Sequence, residues 1–171
     1  MEPWLRGPVP HVSPYLQPAA HALMHCAEQI PEAVLGSRAL SREALWQRPG
    51  GAASVGFHLR HVAGSIDRLL TYARGEQLSE AQLAFLKIEG DGTVGDDDAA
   101  SLVAAAVGAI DRGIEVIRAT PESELLQPRE VGRARLPSNV LGLLFHIAEH
   151  THRHTGQIAT TMLLVTQGSH G

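Results

Sequence analysis

Histidine is the residue type in this chain that most clearly indicates chemistry. The chain has 171 residues and ten histidines. Six of the ten fall into two clusters, His58 and His61 in the first and His146, His150, His152 and His154 in the second. Residues four apart share one face of a helix, so His150 and His154 would present two imidazoles side by side. Two neutral imidazoles at this spacing can bind one divalent ion, at about 2.0–2.1 Å if the ion is zinc.

The apolar residues around the second cluster indicate which of its imidazoles face the core. His150 and His154 continue an apolar stripe at helical spacing that consists of Leu143, Ile147 and Ile158. His146 falls on a polar face, where we expect solvent, and the spacing leaves His152 unassigned. A single buried histidine is usually a hydrogen-bonded core residue. A pair inside an apolar stripe favours metal binding, because two buried imidazoles without a shared partner would be costly.

Two ligands hold a metal poorly, so a third must come from another helix, and the first cluster offers two candidates. Helical phase slightly favours His58 as the third ligand, because it lies near the centre of the apolar stripe formed by Val55, Val62 and Leu69. His61 lies near the edge of that stripe. Both residues remain candidates on spacing alone.

Four long helical segments must position these residues. Proline, glycine and apolar spacing predict them over about 15–35, from an N-cap at Ser54 to about 73, from just after Asp96-Asp97-Asp98 to Pro121, and from Pro137-Ser138 to about 165. Pro31 should kink the first segment or separate its last turn. We expect connections at 40–51, 76–95 and 122–137, with a short helix over 79–86 and weakly extended chain over 131–136.

These segments predict an all-α protein, a four-helix bundle with long connecting loops. We expect a single domain over 1–171 with its core at about 12–166. Two connections are about 18–20 residues long, so simple up-and-down wiring is not assured.

Composition excludes several classes of function. The net charge of -4 argues against a nucleic-acid partner. No apolar run is long enough for a membrane span, and the first 14 residues do not form a secretory signal. The single cysteine, Cys26, cannot form an internal disulfide, which fits a cytoplasmic location. We expect Cys26 to be a small buried hydrophobic residue and not a nucleophile.

Three stretches resemble the DinB/YfiT-like superfamily. His150-Thr151-His152-Arg153-His154-Thr155-Gly156-Gln157 resembles the family's C-terminal His-x-x-x-His-x-Gly-Gln motif. The stretch from 43 to 62 resembles the segment that leads into the family's second helix, and 32–35 also resembles the end of its first. The resemblance implies a bundle with a three-histidine metal site near one end.

The resemblance also implies which residues bind the metal. The family's ligand on the second helix precedes an aliphatic and a small residue, which matches His61 before Val62-Ala63. The ligands on the fourth helix match His150 and His154. On this point the resemblance overrules the phase preference for His58.

The resemblance further implies a type of reaction. The superfamily includes bacillithiol-using S-transferases, and related proteins include mycothiol-dependent maleylpyruvate isomerase. We therefore expect activation of a low-molecular-weight thiol for transfer to a small electrophile. The expected cofactor is a divalent metal ion, zinc or nickel ahead of iron or copper.

Two alternatives remain open. The first is hydrolysis of a small substrate by a metal hydroxide, with Glu89, Asp91 or Glu149 as the base, although surface carboxylates are usually only solvated. Glu149 and Gln157 could instead support the ligands or cap a helix. The second is a homodimeric stress or binding protein in which the metal only clamps two helices together. The alanine-rich stretches 99–100 and 104–106 would permit close packing in such a dimer.

Overall fold

The computed structural model describes residues 1–36 and 39–167, and four long helices form the core of this part. The helices in chain order are α1 (Gln17–Leu35), α2 (Arg42–Trp46), α3 (Val55–Ala73), α4 (Glu80–Ile88), α5 (Ala99–Ala119) and α6 (Val140–Gln167). Short 3-10 turns lie at Pro3–Leu5, Pro14–Leu16, Pro49–Gly51 and Glu122–Glu124. The predicted all-α four-helix bundle is confirmed. Residues 168–171 of the predicted domain lie outside the described residues.

The long connections follow from the order of the helices around the bundle. Both α1 and α3 pack against α5 and α6. Therefore α1 lies diagonally opposite α3, and α5 lies diagonally opposite α6. The chain crosses an end of the bundle between α1 and α3 and again between α5 and α6, which short loops could not do.

The core is built from the stripes that helical spacing predicts. The fully buried side chains include Leu23 and Ile30 of α1, Leu59 and Ile66 of α3, Ile110 and Ile117 of α5, and Ile147 and Ile158 of α6. Within the described residues, no helix combines the length and apolar character that crossing a bilayer requires.

Local signals at the helix ends agree with the sequence in most places. The Ser54 hydroxyl accepts the amide of Phe57 and caps α3 as predicted. Asp98 caps α5 in the same way through the amide of Ser101. The expectation that Pro31 separates the last turn of α1 is wrong, because the helix continues through it to Leu35.

The connection before α6 differs from the prediction. Strands β1 (Pro128–Val131) and β2 (Leu136–Asn139) pair antiparallel as a hairpin, and the residues between them form its turn. The sequence predicted extended chain over 131–136, but most of these residues form the turn of the hairpin. It also began the fourth helix at Pro137-Ser138, which lies in β2. The helix starts later because Asn139 Oδ1 accepts the amide of Gly142 at 2.7 Å and supplies the cap.

The two other predicted connections also contain helix. The stretch 40–51 includes α2, which is capped by the Ser41 hydroxyl. The expected short helix over 79–86 is present as α4, with Ser79 and Gln82 in a reciprocal capping box.

Candidate metal centre

Three imidazoles converge where α3 packs against α6. His61 comes from α3, and His150 and His154 come from consecutive turns of α6. One ring nitrogen from each residue lies within 4.8 Å of the other two. Nε2 of His61 is 2.9 Å from Nε2 of His150. These are the three positions that the sequence resemblance identified.

The donor set fits a divalent metal ion. Nitrogens that share one ion at about 2.0–2.1 Å lie about 3–4 Å apart, and the observed spacing brackets that range. Imidazole suits zinc, nickel, iron and copper. The three histidines are therefore close enough to bind one ion, and their ligation of a metal stays a prediction.

A buried carboxylate orients the first of these imidazoles. His61 Nδ1 donates to Glu89 Oε2 at 2.7 Å, which leaves Nε2 to face the two histidines of α6. The Arg68 guanidinium donates to Glu89 Oε1 at 2.6 Å. Glu89 is only 2% exposed, so both of its oxygens are held in a site shielded from water. A carboxylate in this position fixes the tautomer and the direction of a ligating histidine.

Gly64 makes room for that carboxylate. A Cβ at this position would collide with Glu89 Oε1, the Arg68 guanidinium and the Phe85 ring. A glycine one turn after His61 therefore lets Glu89 approach the backbone of α3.

The segment after α4 that carries Glu89 is held in place by a buried arginine. Arg60, only 4% exposed, donates to the carbonyls of Ile88, Asp91 and Val94 and to the Asp97 carboxylate. Its guanidinium also lies 4.5 Å from the centre of the Trp46 ring. Residues 88–97 are thus tied to α3 next to the three histidines.

An aromatic ring fixes the plane of His61. Phe57 lies one turn earlier on α3, and its ring stacks on His61 at a centroid distance of 5.2 Å and an angle of 16°. The centre of the same ring lies 6.5 Å from that of His154, with the two planes at 65°. Phe57 therefore forms an apolar wall on one side of the site.

The second imidazole, His150, has a different kind of neighbour. Arg153 Nη2 lies 2.8 Å from His150 Nδ1. His146 lies one turn earlier on α6, is exposed as predicted, and pairs with Glu149. The solvent side of the site is therefore lined by charged and polar groups of α6.

The third imidazole, His154, contacts the other histidine of α3. Nδ1 of His154 and Nδ1 of His58 are 2.9 Å apart. His58 is 4% exposed and His61 18%, so the phase argument correctly placed His58 deeper in the bundle. Although His58 is more buried, it is not one of the three residues whose nitrogens converge.

Burial keeps these rings neutral. Loss of solvent is the main cause that lowers the pKa of His154 to about 3, and that of His58 and His150 to about 4. Electrostatic interaction with the neighbouring His61 lowers the three pKa values further. A neutral imidazole has a free lone pair, so these residues need not lose a proton to bind a cation at pH 7.

The other residues singled out in the sequence lie away from the point of convergence. Asp91 is exposed and bonds to Thr93, and Gln157 is exposed on α6. His152 is exposed, and its ring is 5.8 Å from that of His25 on α1. Cys26 is fully buried as expected, and burial raises the pKa of its thiol.

Sequence reasoning missed two groups at the site. Arg68 lies seven residues after His61, on the same face of α3, and that spacing was the available signal. Phe57 lies four residues before His61 and could have been found in the same way. Glu89 and His61 lie on different segments of the chain, so the spacing of residues along one helix could not predict their contact.

Comparison with known proteins agrees with the architecture. A family model described as the DinB superfamily matches residues 17–158, from the start of α1 to beyond His154. No curated protein matches the chain. Because the match covers α1, α3, α5, most of α6 and the three converging histidines, the chain belongs to the DinB superfamily.

Proposed function

We propose that the protein is a divalent-metal-dependent enzyme that transfers a low-molecular-weight thiol to an electrophilic substrate. The observation that supports this most strongly is the convergence of His61, His150 and His154. Three neutral protein ligands with open coordination positions are typical of catalytic centres, whereas structural zinc sites are usually closed by four ligands. The superfamily that the sequence resembles includes thiol-using S-transferases, which supports the choice of a thiol.

The chain's own residues prepare the site for this chemistry. When bound by three neutral imidazoles, a divalent ion keeps its charge and supplies Lewis acidity that favours the anionic form of a thiol. Glu89 holds His61, and Phe57 covers one side of it with an apolar ring. The 18% exposure of His61 leaves an approach for a small substrate.

The proposed reaction is a displacement without oxidation or reduction. The thiol gives up its proton to solvent. Its sulfur then uses an electron pair to form a bond to the electrophilic carbon, and the leaving group departs with the electrons of the bond that breaks. We propose zinc or nickel as the ion ahead of iron or copper, although three imidazole ligands suit all four metals.

The three carboxylates considered as bases for a hydrolase have other partners. Both oxygens of Glu89 are engaged by His61 and Arg68. Asp91 bonds to Thr93, and Glu149 bonds to His146 on the exposed side of α6. These contacts favour thiol transfer over hydrolysis, since hydrolysis needs a free base beside the attacking water.

The direct experiment measures thiol consumption. Purified protein would be loaded with zinc or nickel and mixed with cysteine and 1-chloro-2,4-dinitrobenzene, and the thioether product would be followed by absorbance. We expect a rate above background that requires metal and is lost in His154→Ala. His152→Ala is the matched control, because it removes an exposed histidine of the same helix and should keep the rate.

Three other outcomes would contradict this proposal. A rate of thiol transfer that does not change when a chelator removes the metal would exclude metal dependence. Metal-dependent ester hydrolysis without any thiol would favour the hydrolase. A fall in melting temperature on chelation, with neither activity, would identify a structural clamp.

We also propose that the protein is cytoplasmic and pairs with a second copy of itself. In the alanine-rich stretches of α5, Ala99 and Ala106 face the core, which leaves Ala100, Ala104 and Ala105 exposed for such a contact. Sedimentation velocity would test the dimer, and a single species with the mass of one chain would contradict it.

A further inference from the structure

His58 has a role that neither the metal-binding motif nor the three converging rings assign to it. We propose that His58 is a positioning residue whose Nδ1 accepts the Nδ1–H of His154, and so fixes the nitrogen that His154 presents to the metal. This inference rests on the metal site proposed above.

The geometry of the pair carries the inference. The two Nδ1 atoms are 2.9 Å apart, and the rings are inclined at 49° with centroids 5.1 Å apart. His58 is 4% exposed and His154 is 8% exposed, so water cannot replace this contact freely. Two imidazole nitrogens at this distance form a hydrogen bond only when one carries a proton and the other offers a lone pair.

Metal binding decides which nitrogen carries the proton. Nδ1 of His154 already faces His58, so Nε2 is the nitrogen left to bind the ion together with His61 and His150. A neutral ring whose Nε2 lone pair is used for a metal carries its proton on Nδ1. His154 is therefore the donor, His58 is the acceptor, and the proton of His58 is on its own Nε2.

The same arrangement occurs at His61, with a different acceptor. His61 Nδ1–H donates to the Glu89 carboxylate at 2.7 Å, and His154 Nδ1–H donates to the neutral ring of His58 at 2.9 Å. Each of these two ligands thus has its outer nitrogen held by a buried acceptor. Ligating histidines generally need such a partner to fix their tautomer and ring direction.

Two substitutions of His58 distinguish the loss of the hydrogen-bond acceptor from the loss of the volume of the ring. His58→Asn places an amide oxygen close to the position of Nδ1, whereas His58→Leu fills the space and offers no acceptor. We expect His58→Leu to weaken zinc binding about 10–100-fold, the usual effect of removing an outer partner. His58→Asn should recover most of that loss, and His152→Leu should have no effect.

Zinc affinity would be measured on folded protein by competition with a chromogenic chelator, and metal-free melting curves would identify variants that are merely unstable. Equal affinity in His58→Leu and the wild type would overturn the inference. So would equal weakening in His58→Asn and His58→Leu. A wild type that binds no zinc would instead remove the proposed metal site itself, so the two failures can be distinguished.

A measurement on the wild type tests the inference even if the variants do not fold. Long-range ¹H–¹⁵N correlation spectra of the zinc-loaded protein report the tautomer of each histidine ring. We expect the proton on Nδ1 in His154 and on Nε2 in His58. The opposite pair of tautomers, or a zinc-shifted His58 nitrogen that shows it to be a fourth ligand, would refute the assignment.

Discussion

Oε2 of Glu89 lies 2.7 Å from Nδ1 of His61, on the side of the ring that faces away from His150 and His154. A carboxylate there contacts a histidine of the candidate metal centre from the side opposite the facing nitrogen of His150. Because Arg68 holds its other oxygen at 2.6 Å, Glu89 is fixed in one position. The residue that the sequence suggested as a base is thus a support for the candidate metal centre.

Glu89→Gln should weaken zinc binding about 10–100-fold, because the amide is a poorer acceptor for His61 Nδ1–H and no longer neutralises Arg68. Chelator competition on folded protein would measure this. Asp91→Asn is the matched control, since it changes an exposed carboxylate in the same loop. Equal affinities in the two variants would refute the role of Glu89.

Arg60→Met should destabilise the protein and loosen the segment that carries Glu89. Hydrogen bonds from a charged donor contribute about 1.5–3 kcal/mol, and the variant leaves the carbonyls of Ile88 and Asp91 without this donor. We expect a loss of about 2–3 kcal/mol in the free energy of unfolding, measured with urea. Arg42→Met, which removes an exposed arginine bound to carbonyls of the same segment, should cost less.

Helical spacing predicted most of the bundle because each long helix buries one clear stripe. Val103, Ile110, Ile114 and Ile117 show this in α5, and all four are buried. The same spacing placed His150 and His154 on the inner side of α6. These features are local, since they depend only on residues within a few turns of one another.

The remaining features depend on contacts between distant parts of the chain. Whether His58 or His61 lies beside the histidines of α6 depends on how α3 is rotated against α6. The positions of apolar residues within α3 do not determine that rotation. The hairpin before α6 was missed because β1 and β2 are only four residues long and pair with each other. The partner of His61 comes from a loop that Arg60 holds in place.

Thr151→Val should stabilise the protein. The Thr151 hydroxyl is buried on α6, and no described residue offers it a hydrogen bond. Replacing it with an apolar group of the same shape removes a cost of about 1–3 kcal/mol for an unpaired polar atom. Thermal unfolding of the metal-free protein would measure the gain.

Thr155→Val is the matched control for this prediction. Its hydroxyl lies one turn later, is also buried, and donates to the carbonyl of Thr151 at 2.9 Å. It should therefore lose stability where Thr151→Val gains it. A loss of stability in both variants would show that the Thr151 hydroxyl has a partner.

Zinc should raise the melting temperature of the wild type through the link that it makes between α3 and α6. An ion that binds only the folded protein adds about 2.7 kcal/mol at a free concentration one hundred times its Kd. For a domain of this size that corresponds to about 5–11 °C. His150→Ala should show almost no shift, because it removes one of the three converging imidazoles, and His146→Ala should respond like the wild type. An equal shift in His150→Ala would place the zinc elsewhere on the protein, and would remove the physical basis for assigning chemistry to the junction of these two helices.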